Sequence, residues 1–157
     1  MQKALFPGYT VGPDAYEDIV NICPAYGKRA AIIGGKHALA AAEDKIRQAV
    51  EGSGIEIIGT FWYGGEASRE NMDMLRPQVA EADMIFAVGG GKAIDTAKGV
   101  AHQLGIPLVS LPTLVSNCAP ITALSVVYRE DGPFDRFLFY DAPPALTLVD
   151  LNLAANA

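Results

Sequence analysis

Met84-Ile85-Phe86-Ala87-Val88-Gly89-Gly90-Gly91-Lys92-Ala93-Ile94-Asp95-Thr96-Ala97-Lys98 is the stretch on which the fold turns. Its first five residues form an unbroken apolar run, the pattern of a strand buried on both faces. Three glycines stop the run, and behind them Ala93, Ile94, Ala97 and Ala101 recur at helical spacing. A strand, a glycine turn and a helix start in that order make an anion site. Unpaired N–H groups point outward from the helix N-terminus, and the helix dipole favours negative charge there. Glycine admits backbone where a Cβ would collide with a phosphate, and Lys92 adds a full positive charge. The spacing matches neither Gly-x-Gly-x-x-Gly nor the P-loop. On these residues alone, a tight turn whose glycines serve only packing stays open.

Outward from this stretch, strand and helix signals alternate. Residues 30–33 are a short apolar run ending in Gly34-Gly35, followed by a helical pattern over 37–50 and a strand candidate over 55–61. Residues 68–82 read as a helix with Ser68 as N-cap and Pro77 set to bend or break it. The strand over 84–88 leads to a helix over 92–104, then a strand over 107–111 closed by Pro112. This rhythm predicts a parallel sheet covered by helices on both faces, with its ligand crevice at the carboxyl ends of the strands. Gly34-Gly35, residues 89–91 and residues 112–118 all fall at such ends, so three loops are expected to converge. Residues 123–129 and 134–140 alternate apolar and polar across Glu130-Asp131-Gly132-Pro133, the pattern of a β-hairpin, and 147–150 is one more short strand.

Composition narrows the function classes. A chain of 157 residues, half of them hydrophobic and 19% charged, fits one globular domain. Its net charge of −6 argues against a nucleic-acid surface. No apolar stretch has membrane-span length, and the start has no long apolar segment of the signal-peptide kind. Cys23 and Cys118 form no Cys-x-x-Cys pair, so reduced thiols in a cytoplasmic protein are expected.

Several further motifs stand in one order along the chain: Gly64-Gly65-Glu66-Ala67-Ser68-Arg69, then Gly89-Gly90-Gly91-Lys92 with Asp95-Thr96-Ala97-Lys98, then Pro112-Thr113, Ser116, Ala119-Pro120, the run 123–128, Asp131-Gly132-x-Phe134 and Leu148-Val149-Asp150. In these the chain resembles the cofactor-binding half of the iron-containing (group III) metal-dependent alcohol dehydrogenases, and among them the glycerol dehydrogenases. The resemblance implies an α/β, Rossmann-like doubly wound parallel sheet with an appended β-hairpin, residues 1–157 forming one dinucleotide-binding domain. The family's helical domain, which holds a Zn or Fe ion through one aspartate and two histidines, is expected to be absent from this chain. The chain alone is therefore expected to hold no catalytic residue and no metal site.

Carried over by resemblance, Gly89, Gly90, Gly91 and Lys92 would meet the pyrophosphate of NAD or NADP. Thr113 and Ser116 would line the cofactor path, and Thr122, Leu124 and Tyr128 would surround the nicotinamide side. For Leu124 and Tyr128, core packing remains an alternative. Gly35 stands where the family often has a ribose-binding aspartate. With Lys36 next to it, the loss of that carboxylate removes repulsion of a 2′-phosphate, so NADP becomes an alternative to NAD. Cys118 stands where glycerol dehydrogenases have a substrate-binding aspartate. A thiol there resembles a hydroxycarboxylate-dehydrogenase-like branch and eases repulsion of an anionic substrate. The expected substrate is a small alcohol, polyol or hydroxy acid. His37 and His102 are expected to be ordinary helix histidines. The face assigned to the second domain is expected to be apolar and exposed, so a homo-oligomer or a partner chain is expected. A nucleotide-binding module without catalysis, and a sugar-phosphate enzyme on a similar sheet, remain alternatives.

Overall fold

The computed structural model describes residues 8–156. In chain order the elements are β1 (Gly8–Gly12), α1 (Asp18–Ile22), β2 (Arg29–Gly34), α2 (Lys36–Ala49), β3 (Glu56–Trp62), α3 (Arg69–Gln78), β4 (Met84–Gly89), α4 (Gly91–Leu104), β5 (Leu108–Pro112), β6 (Leu124–Tyr128), β7 (Phe134–Phe139), β8 (Leu146–Asp150) and α5 (Leu151–Ala155). Six strands pair in parallel in the order β1-β8-β5-β4-β2-β3, and β6 and β7 form a separate antiparallel pair. This is the Rossmann-like sheet with its hairpin.

β4 lies at the centre, and all six of its residues are buried. Alternate residues therefore serve opposite layers. Met84, Phe86 and Val88 pack with α1 and α2, including Ile19, Ala42 and Ile46. Ile85 and Ala87 pack with α3 and α4, including Met72, Leu75, Ile94 and Val100. Each large side chain so buried contributes roughly 1.5–3 kcal/mol. α3 and α4 approach closely at Gly99, where a Cβ would stand 2.3 Å from Met72 Sδ.

The helix expected over 68–82 is shorter. Ser68 Oγ accepts from the Asn71 amide, as an N-cap does, but the helix ends at Gln78, one residue past Pro77. Pro77 cannot donate to the carbonyl four residues back, so one rung of the final turn is missing, and Val79 N closes the helix on Leu75 O at 3.2 Å and Arg76 O at 3.3 Å. The hairpin lies as expected, within a residue at each end. β1 and the helical turns from Ala15 to Tyr26 had no counterpart in the sequence reading.

The chain crosses from β3 over β2 to β4, so strand order reverses between β2 and β4. The connections leave for opposite faces of the sheet beyond their carboxyl ends, which is where ligands sit in open α/β sheets. Backbone bonds hold the loops beyond the strands side by side: Gly35 N donates to Val88 O at 3.2 Å, Tyr63 N to Gly34 O at 3.1 Å, and Thr113 N to Gly89 O at 3.1 Å.

Candidate functional site

Two cavities open at these carboxyl ends, and they meet at Gly91 and Lys92. The larger, about 720 Å³, lies between the start of α2 at Gly35 and the start of α4 at Gly89 to Lys92, with Thr113 on the β5 side. The smaller, about 380 Å³, lies between α4 and the hairpin and is walled by Cys118, Thr122, Leu124, Val126 and Tyr128. The three predicted loops thus come together.

Both helices that point into the larger cavity begin at a glycine N-cap, Gly35 for α2 and Gly90 for α4, and neither has a side-chain cap among the described residues. Ile94 N bonds to Gly90 O at 3.1 Å, so α4 is wound from its first turn while its leading amides remain free for a ligand. α3, whose residues line neither cavity, carries the ordinary serine cap instead. The glycines fit this arrangement. A Cβ on Gly34 would lie 2.5 Å from Val88 O, and Gly89 has φ +138°, so both turns need glycine. A Cβ on Gly91 would stand 3.2 Å from Asn117 Nδ2, directed across the junction of the cavities.

Two lysines charge the groove. Lys92 Nζ lies 3.1 Å from the Glu66 carboxylate and 5.2 Å from the centroid of the Tyr128 ring. Lys36 Nζ sits 4.1 Å over the Trp62 ring. Both rings lie within cation–π range, so each ammonium is held at the rim rather than swinging free. Burial pushes the nearby Tyr63 hydroxyl above its ordinary pKa, opposed by Lys92 and reinforced by Glu66.

Of the residues singled out in the sequence, ten line one or both cavities: Gly35, the three loop glycines, Lys92, Thr113, Cys118, Thr122, Leu124 and Tyr128. Ser116 is exposed in the loop after β5 and lines neither. His37 borders the larger cavity, whereas His102 lies in the last turn of α4, away from both cavities, its ring 5.0 Å from that of Tyr140. Sequence reasoning missed Trp62 and Tyr63 at the end of β3, and Leu153 and Asn156 from α5 and its cap, which close the larger cavity. A lone tryptophan directly after a strand candidate was the available signal for the first of these.

The groove fits an elongated diphosphate ligand: two uncapped helix starts, glycines without Cβ at the point of closest approach, two held cations, and a lobe on either side. A metal has no such fit. Among the described residues no group of three or more His, Cys, Asp and Glu side chains is placed to hold one.

Residues 7–151 match the family profile described as iron-containing alcohol dehydrogenase. A glycerol dehydrogenase of Escherichia coli O6:H1 is 34% identical over 154 residues, which are 96% of this chain and 42% of that protein. Hydroxycarboxylate dehydrogenase A of Escherichia coli K12 is 34% identical over 130 residues, 82% of this chain and 35% of that protein. The crystal structure of glycerol dehydrogenase from Schizosaccharomyces pombe superposes with a TM-score of 0.89 at 29% identity, covering 100% of this chain and 40% of that one. The chain thus spans less than half the length of these relatives. With the profile matched along almost all of it and the sheet, hairpin and glycine groove in place, this chain belongs to the iron-containing alcohol dehydrogenase family.

Proposed function

We propose that this chain is the cofactor-binding half of an NAD(P)-dependent dehydrogenase that moves hydride between a nicotinamide ring and a small alcohol, polyol or 2-hydroxy acid. The observation that carries this reading is the two-lobed groove meeting at the uncapped start of α4. In this reading the amides at the start of α4 receive the pyrophosphate, Gly89, Gly90 and Gly91 allow its approach, and Lys92 balances its charge. The larger lobe takes the adenosine half along Gly35 and Thr113, with Ser116 in the loop beside it. The smaller lobe takes the nicotinamide half against Thr122, Leu124 and Tyr128. Bound there, the nicotinamide gives or accepts the hydride.

Lys36, braced by Trp62 at the adenosine end, and Gly35, which lacks a carboxylate, support NADP as well as NAD. Cys118 sits on the wall of the smaller lobe, where a neutral thiol in place of a carboxylate eases the approach of an anionic 2-hydroxy acid. The Fe that the family name implies has no ligand set among the described residues. The second reading is a nucleotide-binding module that works with a partner chain, and the exposed phenylalanines of β7 are the observation that favours it. The exposed Phe134, Phe137 and Phe139 on β7 support a homo-oligomer in either case.

Titrating NADH and NADPH into the chain by cofactor fluorescence tests the cofactor reading. A Cβ on Gly35 meets only Tyr63 Cε1, at 3.8 Å, so Gly35→Asp is sterically admitted. It is expected to shift preference toward NADH by about tenfold or more, roughly 1.4 kcal/mol. Failure of both cofactors to bind the native chain would overturn the reading.

A further inference from the structure

The i,i+3 pair Asp95 and Lys98 lies on the side of α4 turned toward the hairpin, and both side chains are buried. Lys98 Nζ lies 3.4 Å from Asp95 Oδ1 and donates to Thr122 Oγ1 at 3.2 Å and to Leu124 O at 2.9 Å. Asp95 Oδ2 accepts from Val126 N at 3.0 Å. A third tie comes from the backbone: Asp95 O accepts from Ser125 Oγ at 2.8 Å, and Ser125 Oγ in turn accepts from Tyr140 OH at 2.8 Å. Thr122, Leu124 and Val126 form the hairpin-side wall of the smaller cavity together with Tyr128, and each of these three is held by one of the two side chains.

We infer that Asp95 and Lys98 are positioning residues for the nicotinamide-side pocket: a buried ion pair that fixes the distance between its hairpin wall and the start of α4. The inference rests on the cofactor reading above. Its physical basis is the concentration of the hairpin's directional ties at this pair; away from it, Tyr128 N donates to Ala67 O at 2.8 Å. Among the described residues, β6 and β7 pair with each other and with no strand of the main sheet. On the outer side β7 exposes three phenylalanines. The apolar contact of the hairpin with the core comes through Val127 and Leu138, and apolar contact is non-directional. Directional bonds to a buried pair set a register that apolar contact leaves loose, which is a recognised use of buried polar groups. Desolvation pushes the Asp95 carboxyl up and the Lys98 ammonium down, and their mutual attraction opposes both shifts, so neither charge is comfortable without the other.

The test separates the two lobes. ADP-ribose carries the adenosine and pyrophosphate but no nicotinamide, and its binding is followed by quenching of Trp62, the only tryptophan of the chain, which lines the larger cavity. NADH is followed by its own emission, which reports the surroundings of the nicotinamide. The native chain is compared with Lys98→Met, with Asp95→Asn/Lys98→Met, which removes both buried charges together, and with Ser125→Ala, which cuts one tie and leaves the pair intact. In the double variant ADP-ribose affinity is expected within about twofold of native, while NADH affinity falls about tenfold and its bound emission returns toward that of free cofactor. Ser125→Ala moves NADH in the same direction by a smaller factor, and carries the test should the charge variants fail to fold. If NADH binding and emission are native-like in a folded double variant, or in Ser125→Ala should that variant carry the test, the positioning role is wrong. Equal losses for both ligands overturn it as well, because the pair then supports the whole domain. Absence of ADP-ribose binding in the native chain instead refutes the cofactor reading itself.

Discussion

Gly91→Val places an isopropyl group at the junction of the two lobes. The added Cβ stands 3.2 Å from the Asn117 side chain, which is exposed and free to move by the few tenths of an ångström required. Gly91 is the first residue of α4 and its φ is not in the left-handed region, so valine fits the backbone. The expected stability change is within about 1 kcal/mol, which for a chain this size is ~2–4 °C in melting temperature. Binding is affected far more. The valine methyl groups occupy the space a phosphate needs in order to reach the free amides, and each hydrogen bond to a charged group is worth about 1.5–3 kcal/mol. Losing two such bonds weakens binding by roughly 3–6 kcal/mol, on the order of a hundredfold to ten-thousandfold. Isothermal titration of ADP-ribose, NADH and NADPH into native and variant chains, with melting curves beside them, measures both quantities. A folded Gly91→Val chain that binds all three with native affinity would refute the assignment of the phosphate to α4. A variant that loses binding only because it no longer melts cooperatively would refute the claim that Gly91 is a binding rather than a packing glycine.

Other perturbations follow from single contacts. Gly34→Ala drives a Cβ to 2.5 Å from the Val88 carbonyl, backbone of the central strand that cannot yield, and is expected to cost about 2–3 kcal/mol, seen as a melting temperature ~5–10 °C lower. Asp83 accepts from the amides of Lys28 and Arg29 at 2.8 and 3.0 Å, bonds that favour the ionised carboxylate and hold its pKa below the ordinary 3.8. A depressed carboxylate pKa gives stability that is present above the unfolded value and is lost as pH falls through the folded one, so the melting gap between native and Asp83→Ala chains is expected to hold from neutral pH down to near 3.8 and to narrow below it. In an enzyme that carries this domain with its metal-binding half, Cys118→Asp is expected to move preference from 2-hydroxy acids toward polyols, read as the ratio of kcat/KM for lactate-like and glycerol-like substrates; an unchanged ratio removes Cys118 from the substrate side.

The central layer was legible because its residues face only other protein. β4 is buried along its whole length, so its apolar run has no polar interruption, and Gly89, which ends it, is needed by a positive φ. β1 was not legible for the opposite reason. It is an edge strand, its Tyr9 and Val11 are exposed, and glycines stand at both its ends. Its place is set by pairing with β8, at the other end of the chain, and no local pattern encodes such a partner. α3 shows a third situation, where cap and breaker were both readable but the end was not. Pro77 is admitted inside the final turn, and the helix stops one residue beyond it.

The site divides along the same line. A glycine loop at a helix start is a local feature, and the sequence shows it because backbone, not side chains, is expected to do the binding. The walls are not local. Trp62 and Tyr63 come from the end of β3, and Leu153 and Asn156 from α5, which the Asp150 carboxylate caps while its other oxygen takes Lys45 of α2 at 3.0 Å. α2 and α5, whose residues face each other across the larger lobe, are thus tied by one ion pair between residues far apart in the chain. The motif Asp95-Thr96-Ala97-Lys98 shows how position within a motif can mislead. It adjoins the phosphate loop in sequence, yet one turn of helix carries Asp95 and Lys98 round to the hairpin, where they bond three residues of the opposite wall. An i,i+3 pair of opposite charge reads in sequence as a solvated helix face. Only the hairpin folded over it, contributed by residues more than twenty positions later, makes it the buried strut of the smaller lobe.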